Sequence, residues 1–194
     1  DLTKETQAAE RETRLATRDA MTGLLNYTEF CRLASKALRE LDQLTQKAIF
    51  IFVDADNLKK TNDTFGHAAG DILIQTMART LEQKIAAPCY IARKGGDEFV
   101  VLMLAPNQIQ EFEFLAEITS SLNRVCQLEG TSVSMSCCIG ASITTTSSIP
   151  VENLELEADR ALYRSKSRGN GQLSVYDEKF GHEIRSARIL ASSI

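Results

Sequence analysis

Apolar residues fall along this chain in two rhythms, and each rhythm predicts an element. Phe30, Leu33, Ala34, Ala37, Leu38 and Leu41 share one helical face, with Asn26 placed to cap the helix. Ala48-Ile49-Phe50-Ile51-Phe52-Val53 is an unbroken apolar run, the pattern of a buried central strand. It stops at Asp54 and Asp56, and a helix is expected after Gly70, with Asp71 in its first turn and Leu73, Met77, Leu81 and Ile85 facing inward. Tyr90–Ala92 and Phe99–Leu104 predict two strands joined by a hairpin at Gly95-Gly96, where paired glycines tolerate positive φ. Pro106 and Asn107 predict the opening of a helix that carries Phe112, Leu115, Ile118 and Leu122. Val133, Met135, Cys137, Ile139, Ala141 and Ile143 alternate with mainly polar or small residues, which reads as one half-buried strand. Pro150 starts a helix with Leu154, Ala158, Ala161, Leu162 and Ser165 inward, and Leu173–Tyr176 predicts a short last strand.

This order implies an α/β (α+β) fold, a mixed central β-sheet flanked by helices on one or both faces. Leu2 to about Arg18 reads as an exposed helix without Gly or Pro. It fits a solvated end and a connector from an upstream domain equally, and its heptads are poor for a coiled coil. A weak helical pattern at Ile184, Ala187, Leu190 and Ile194 follows Asp177. The expected organisation is a connector over 1–18, one folded domain over 19–176 and an extension over 177–194.

A net charge of −4 argues against a nucleic-acid-binding surface, which needs clustered Lys and Arg. No stretch approaches the ~20 apolar residues of a membrane span, and no signal peptide is visible. The chain opens on Asp1, which fits a piece of a longer protein. A cytoplasmic protein is expected, or the cytoplasmic part of a membrane-anchored one, with a sensor domain upstream. The five cysteines are odd in number and lack zinc-site spacing, so reduced and mostly buried thiols are expected. Cys137 and Cys138, adjacent on a strand, should point to opposite faces.

The chemistry concentrates at two acidic corners. Asp54 and Asp56 close one apolar strand, while Asp97 and Glu98 follow the Gly-Gly bend just before another. If those strands are neighbours, up to four carboxylates converge, and they require a counter-ion. A hard divalent cation arriving with phosphates, Mg²⁺, answers that need. The plainer reading is that the acids end their strands and face water; two such corners favour the metal. Beyond the first corner, Leu58-Lys59-Lys60-Thr61-Asn62-Asp63 suggests a turn aiming N–H groups at an anion, with Lys59 nearby. Asn62 offers an amide to a base edge. His67 lies in a glycine-flanked turn, where it is either solvated or a phosphate contact.

Arg93-Lys94-Gly95-Gly96-Asp97-Glu98-Phe99 resembles the signature hairpin of the GGDEF family of diguanylate cyclase domains. Asp54-Ala55-Asp56-Asn57-Leu58-Lys59, Asn62-Asp63, Gly66-His67 and Gly70-Asp71 resemble its second block in order and spacing. Asp19-Ala20-Met21-Thr22-Gly23-Leu24-Leu25-Asn26 resembles its opening block. Ala158-Asp159, Ala161-Leu162-Tyr163 and Lys166 resemble its closing block, so the likeness runs from about Asp19 to Tyr176. It implies a fold like the polymerase palm and the nucleotide cyclases, and condensation of two GTP into cyclic di-GMP with release of two pyrophosphates. It further implies Mg²⁺ held by Asp54, Asp97 and the Ala55 carbonyl, with Glu98 as ligand or as base for the ribose 3′-hydroxyl. Guanine would be read by Asn62 and Asp71, and the phosphates held by the Leu58 backbone, Lys59 and Lys166. A carboxylate at Asp71 accepts from guanine N1–H and its amino group, which adenine does not offer. The second GTP must come from a second copy of the domain.

Lys94 departs from the family in replacing the aromatic residue common in the hairpin, and Cys138 replaces a common serine. Asn170 stands where a basic residue is frequent, with Arg168 a possible substitute. Ala86 and Cys89 occupy the places of the Arg and Asp of the family's product-inhibition motif, so no cyclic di-GMP is expected there. Two other readings stand: a catalytically silent module that binds GTP or a partner protein, and a cyclase acting on one nucleotide.

Overall fold

The computed structural model describes residues 16–86, 88–128 and 131–177. Nearly all of the expected connector, and the tail after Asp177, lie outside these residues. The chain runs β1 (Leu25–Asn26), α1 (Tyr27–Arg39), β2 (Gln46–Ala55), α2 (Leu58–Phe65), α3 (His67–Lys84), β3 (Cys89–Gly95), β4 (Glu98–Pro106), α4 (Glu111–Leu122), β5 (Arg124–Leu128), β6 (Thr131–Met135), β7 (Cys137–Thr144), α5 (Val151–Ser167) and β8 (Leu173–Val175). Six strands form one mixed sheet in the order β1-β3-β4-β2-β7-β8, and β5 and β6 form a separate hairpin.

β2 is the spine of this sheet. It pairs antiparallel with β4 on one side and β7 on the other, and its apolar run is buried throughout. Alternation sends Ile49, Ile51 and Val53 into a core with Leu73, Met77 and Leu81 of α3 and Leu115, Ile118 and Leu122 of α4. Ala48, Phe50 and Phe52 enter the opposite core, with Phe30, Ala34 and Leu38 of α1 and Leu154, Ala158 and Leu162 of α5. Each fully buried large side chain contributes ~1.5–3 kcal/mol, so both layers are anchored through this one strand. Cys137 and Cys138 divide between the two cores as strand geometry requires.

Helix placement follows from local chemistry. Asn26 caps α1, its side-chain oxygen accepting from Glu29 N at 2.9 Å, an interaction worth about 1 kcal/mol. α5 lies close against β7 because Gly140 has no side chain; a Cβ there would overlap the backbone of Ala158 and Leu162. Ser142 Oγ donates to Leu154 O at 2.8 Å and Ser165 Oγ to Ile139 O at 2.7 Å, pinning α5 near both ends.

Several expectations need correction. The segment read as a turn at Leu58 is helix α2, and α3 begins at His67 rather than after Gly70. Gly66, at φ 86°, breaks the chain between them. Pro106 ends β4, and Asn107 bonds back to the β2 approach through Thr45 O, so α4 starts only at Glu111. Its Phe112 is exposed, while Phe114 packs inward. The single strand expected over Val133–Ile143 is two, parted at Ser136, whose hydroxyl bonds Asp56. β5, which the alternation missed, pairs with β6. β7 is buried on both faces because helices cover both sides of the sheet.

Candidate active site

The two acidic corners meet. In the β2–β4 ladder Asp54 is the register partner of Glu98, and Ala55 N donates to Asp97 O at 3.0 Å, tying the hairpin turn to the end of β2. Asp54 follows Phe52, and Glu98 precedes Val100, at strand spacing. Both carboxylates therefore stand on the α1/α5 side of the sheet. From α5, Lys166 Nζ reaches Asp54 Oδ2 at 2.6 Å. A cavity of about 360 Å³ opens here, bordered by Asp54, Ala55, Leu58, Lys59, Asp97 and Lys166.

Electrostatics mark the spot. Burial pushes the Asp54 carboxyl above its ordinary range; the Lys166 hydrogen bond and charge pull it back, and Asp97 and Asp56 push it up again. Glu98 is also raised, first by burial, with Lys94 and Lys166 opposing and Asp54 and Asp97 reinforcing. Burial lowers the Lys166 ammonium, but the Asp54 hydrogen bond and the charges of Asp54, Asp97 and Glu98 outweigh it and hold the group above the usual lysine value. The Lys166 side chain is 46% exposed against 10% for Asp54. Solvent screening at such exposure leaves the pair no more than ~1 kcal/mol, so Lys166 can exchange Asp54 for a phosphate at small cost.

Asp56 borders the same cavity, but its carboxylate is engaged by structural partners. Its Oδ2 accepts from Ser136 Oγ at 2.6 Å and from Gly171 N at 2.8 Å, so it anchors the loop after α5. Among the described residues, no three His, Cys, Asp or Glu side chains are grouped to enclose a metal by themselves. The oxygen-only donors and the mutual repulsion of Asp54, Asp97 and Glu98 still fit a hard cation. Mg²⁺ commonly takes one or two carboxylates and completes its shell from substrate phosphates.

The anion side of the cavity is the start of α2. Asn57 there adopts the left-handed conformation at φ 57°, and its side chain makes no capping bond. First-turn N–H groups at Leu58 and Lys59 are thereby left for a ligand. Asn62, one turn on, has a buried Oδ1 with no hydrogen-bond partner. Gly70 of α3 lies against it, where a Cβ would overlap that oxygen, and Asp71 follows at the surface. His67, exposed at the head of α3, does not border the cavity.

Sequence reasoning missed several supporting residues. Arg93 donates to Gly96 O at 2.7 Å and to Asp19 Oδ1 at 3.4 Å, bracing the hairpin against the opening block. Its place beside Gly95-Gly96 was the available signal. The contact of Gly70 with Asn62, eight residues apart in the chain, carried none. Asn170 borders the cavity, whereas Arg168 is the C-cap of α5 and does not. Cys89 Sγ donates to Ile85 O at 3.6 Å and borders a separate cleft of about 490 Å³ at the sheet edge.

The family model for the diguanylate cyclase GGDEF domain matches residues 16–172. An uncharacterized signaling protein of Caulobacter vibrioides is 32% identical over 98% of this chain and 24% of its own length. Diguanylate cyclase TpbB of Pseudomonas aeruginosa is 32% identical over 79% of the chain and 36% of its length. Cyclic di-GMP phosphodiesterase PdeR of Escherichia coli is 29% identical over 95% of the chain and 28% of its length. The chain thus spans roughly a quarter to a third of these relatives. The coiled coil and GGDEF domain of DgcB from Caulobacter crescentus, solved with cyclic di-GMP, superposes with a TM-score of 0.77 at 25% identity, covering 90% of this chain and 93% of that one. Among the described residues, no helix is long and apolar enough to cross a membrane.

Proposed function

The chain belongs to the GGDEF domain family, and on that premise we propose that it is a diguanylate cyclase, joining two GTP into cyclic di-GMP and releasing two pyrophosphates. One observation carries the reading: Asp54 and Glu98 face each other across the β2–β4 ladder, with Asp97 tied to Ala55 and Lys166 reaching Asp54. Three acids and a half-exposed lysine beside an uncapped helix start suit a metal–triphosphate.

In this proposal Asp54, Asp97 and the Ala55 carbonyl hold Mg²⁺, with Glu98 as a further ligand or as the base that takes the 3′-hydroxyl proton. Bound magnesium supplies positive charge to the attacking and leaving oxygens of an in-line displacement at the α-phosphorus. Lys59, Lys166 and the Leu58 N–H hold the phosphates and offset their charge. Asn62 and Asp71 bind guanine, the carboxylate selecting against adenine. His67 is a phosphate contact only if the bound triphosphate reaches the head of α3. The cavity carries one set of acids, so the second GTP is presented by a second copy of the domain. In the full-length protein this cytoplasmic domain would answer to an upstream sensor.

The match to a protein named for phosphodiesterase activity keeps a second reading in play, that of a silent module binding GTP or a partner. Incubating concentrated protein with GTP and Mg²⁺ and separating the nucleotides separates the readings. Cyclic di-GMP supports the cyclase. Bound but unchanged GTP supports the silent module, and a cyclic mononucleotide would mean single-substrate cyclisation.

A further inference from the structure

β3 carries one residue more than β4 opposite it. The ladder pairs Arg93 with Phe99 and next Gly95 with Glu98, so Lys94 is bulged out of register just before the turn. A bulge re-aims its side chain, and here the chain turns toward α5. Lys94 Nζ lies 2.6 Å from Glu155 Oε1. Tyr27 OH donates to the other oxygen of that carboxylate at 2.5 Å. The ammonium also sits 4.8 Å from the ring centroid of Phe52 and 5.3 Å from that of Tyr27, within cation–π range. The first residue of α1, the first turns of α5 and the bulge of β3 thus converge on one carboxylate.

Resting on the cyclase reading above, we propose that Lys94 is a positioning residue for cyclisation: through Glu155 and Tyr27 it locks the hairpin bulge to α5 and α1, so that Asp97 and Glu98 stay beside Asp54 and Lys166. About three helical turns beyond Glu155, α5 delivers Lys166 to Asp54. The two ion pairs have opposite polarity, with a helix acid on a sheet base at one and a helix base on a sheet acid at the other. Together they fix where α5 lies along the sheet and where the hairpin lies against it. Arg93 does not replace this restraint, because it bonds the turn's own Gly96 carbonyl and the opening block rather than α5. The Glu155 side chain is 13% exposed, so loss of Lys94 leaves a largely desolvated carboxylate with only a tyrosine donor, and the bulge loses its tether.

The test uses the whole chain with Lys94→Met, Lys94→Arg and Glu155→Gln, the last keeping size and a hydrogen-bond acceptor for Tyr27. Steady-state rates with GTP and Mg²⁺ are measured alongside amide hydrogen exchange of Gly95–Glu98. The proposal expects kcat to fall about tenfold or more in Lys94→Met and Glu155→Gln, since small misplacements cost that much. KM for GTP should stay within about twofold, hairpin amides should exchange faster, and Lys94→Arg should recover most of the rate. Wild-type kcat and wild-type exchange in both neutral variants would overturn it, as would a rate loss that Lys94→Arg does not repair. If the unaltered chain makes no cyclic di-GMP, the cyclase reading fails by itself. Exchange then decides the lock alone: faster in both neutral variants sustains it, unchanged refutes it.

Discussion

Asp54 and Glu98 are direct partners across the β2–β4 ladder, and both carboxyls are held above their ordinary range, first by burial. A pair of acids placed this way costs the fold stability when ionised. It persists where a ligand cation repays that cost, which is the pattern of a functional site rather than of a strand end.

Glu98→Gln should therefore stabilise the protein while disabling it. A carboxyl raised in the folded state adds stability below its unfolded pKa and loses it as pH rises through the folded value. The variant and the unaltered protein should melt together below about pH 4. By pH 7 the variant should melt at the higher temperature, the gap opening as pH rises and Glu98 ionises. Turnover should drop by roughly 10²–10⁴-fold. Paired melting curves from pH 4 to 8 check the sign; a gap that does not change with pH would contradict it.

Gly70→Ala should act on the nucleotide through Asn62. The added Cβ overlaps Asn62 Oδ1, so the side chain must move or the α2–α3 contact must open, at about 1–3 kcal/mol. KM for GTP should rise about tenfold, equal to ~1.4 kcal/mol, as measured by initial rates over a GTP series. An unchanged KM would mean that Asn62 does not hold guanine.

Asp71→Ala should separate specificity from folding. Asp71 is exposed on α3, so stability should change by less than about 0.5 kcal/mol. Preference for GTP over ATP should fall about tenfold or more, because a group accepting hydrogen bonds from the correct base is lost. Competition binding with both nucleotides reads this directly.

Cyclic di-GMP should not bind at Ala86 and Cys89. Cys89 turns its thiol to Ile85 O, and its pKa is raised by burial and by Glu82; a half-buried neutral thiol offers no charge to a phosphate or guanine. A product titration should leave the rate unchanged at this locus. Strong inhibition that substitutions at these two positions remove would contradict the expectation.

Much of this was legible in the sequence because strand ends are rigid. The apolar run Ala48–Val53 fixed a buried strand, and its abrupt stop placed Asp54 at the sheet margin. The Gly95-Gly96 bend did the same for Asp97 and Glu98. What the pattern lacked was any signal of tertiary polar contact. Ser136 divides an apparent strand because its hydroxyl serves Asp56, and the Asp56 carboxylate at the cavity border is engaged by that bond and by Gly171 N. Pro106 resembles a helix start, yet its fixed φ also suits the last rung of β4, where it pairs with Gln46. The link from Lys94 to Glu155 joins residues far apart in the chain, and alternation along β3 predicts nothing about a bulged side chain.

Pyrophosphate release against GTP consumed, followed in parallel for the unaltered protein and Asp97→Ala at equal concentration, tests the central assignment most directly. The backbone bond from Ala55 N to Asp97 O does not involve the Asp97 side chain, so the hairpin should keep its place in the variant. The account predicts one pyrophosphate per GTP and half as much cyclic di-GMP from the unaltered protein, with turnover abolished in Asp97→Ala. Near-normal release from the variant, or none from either protein, would contradict it.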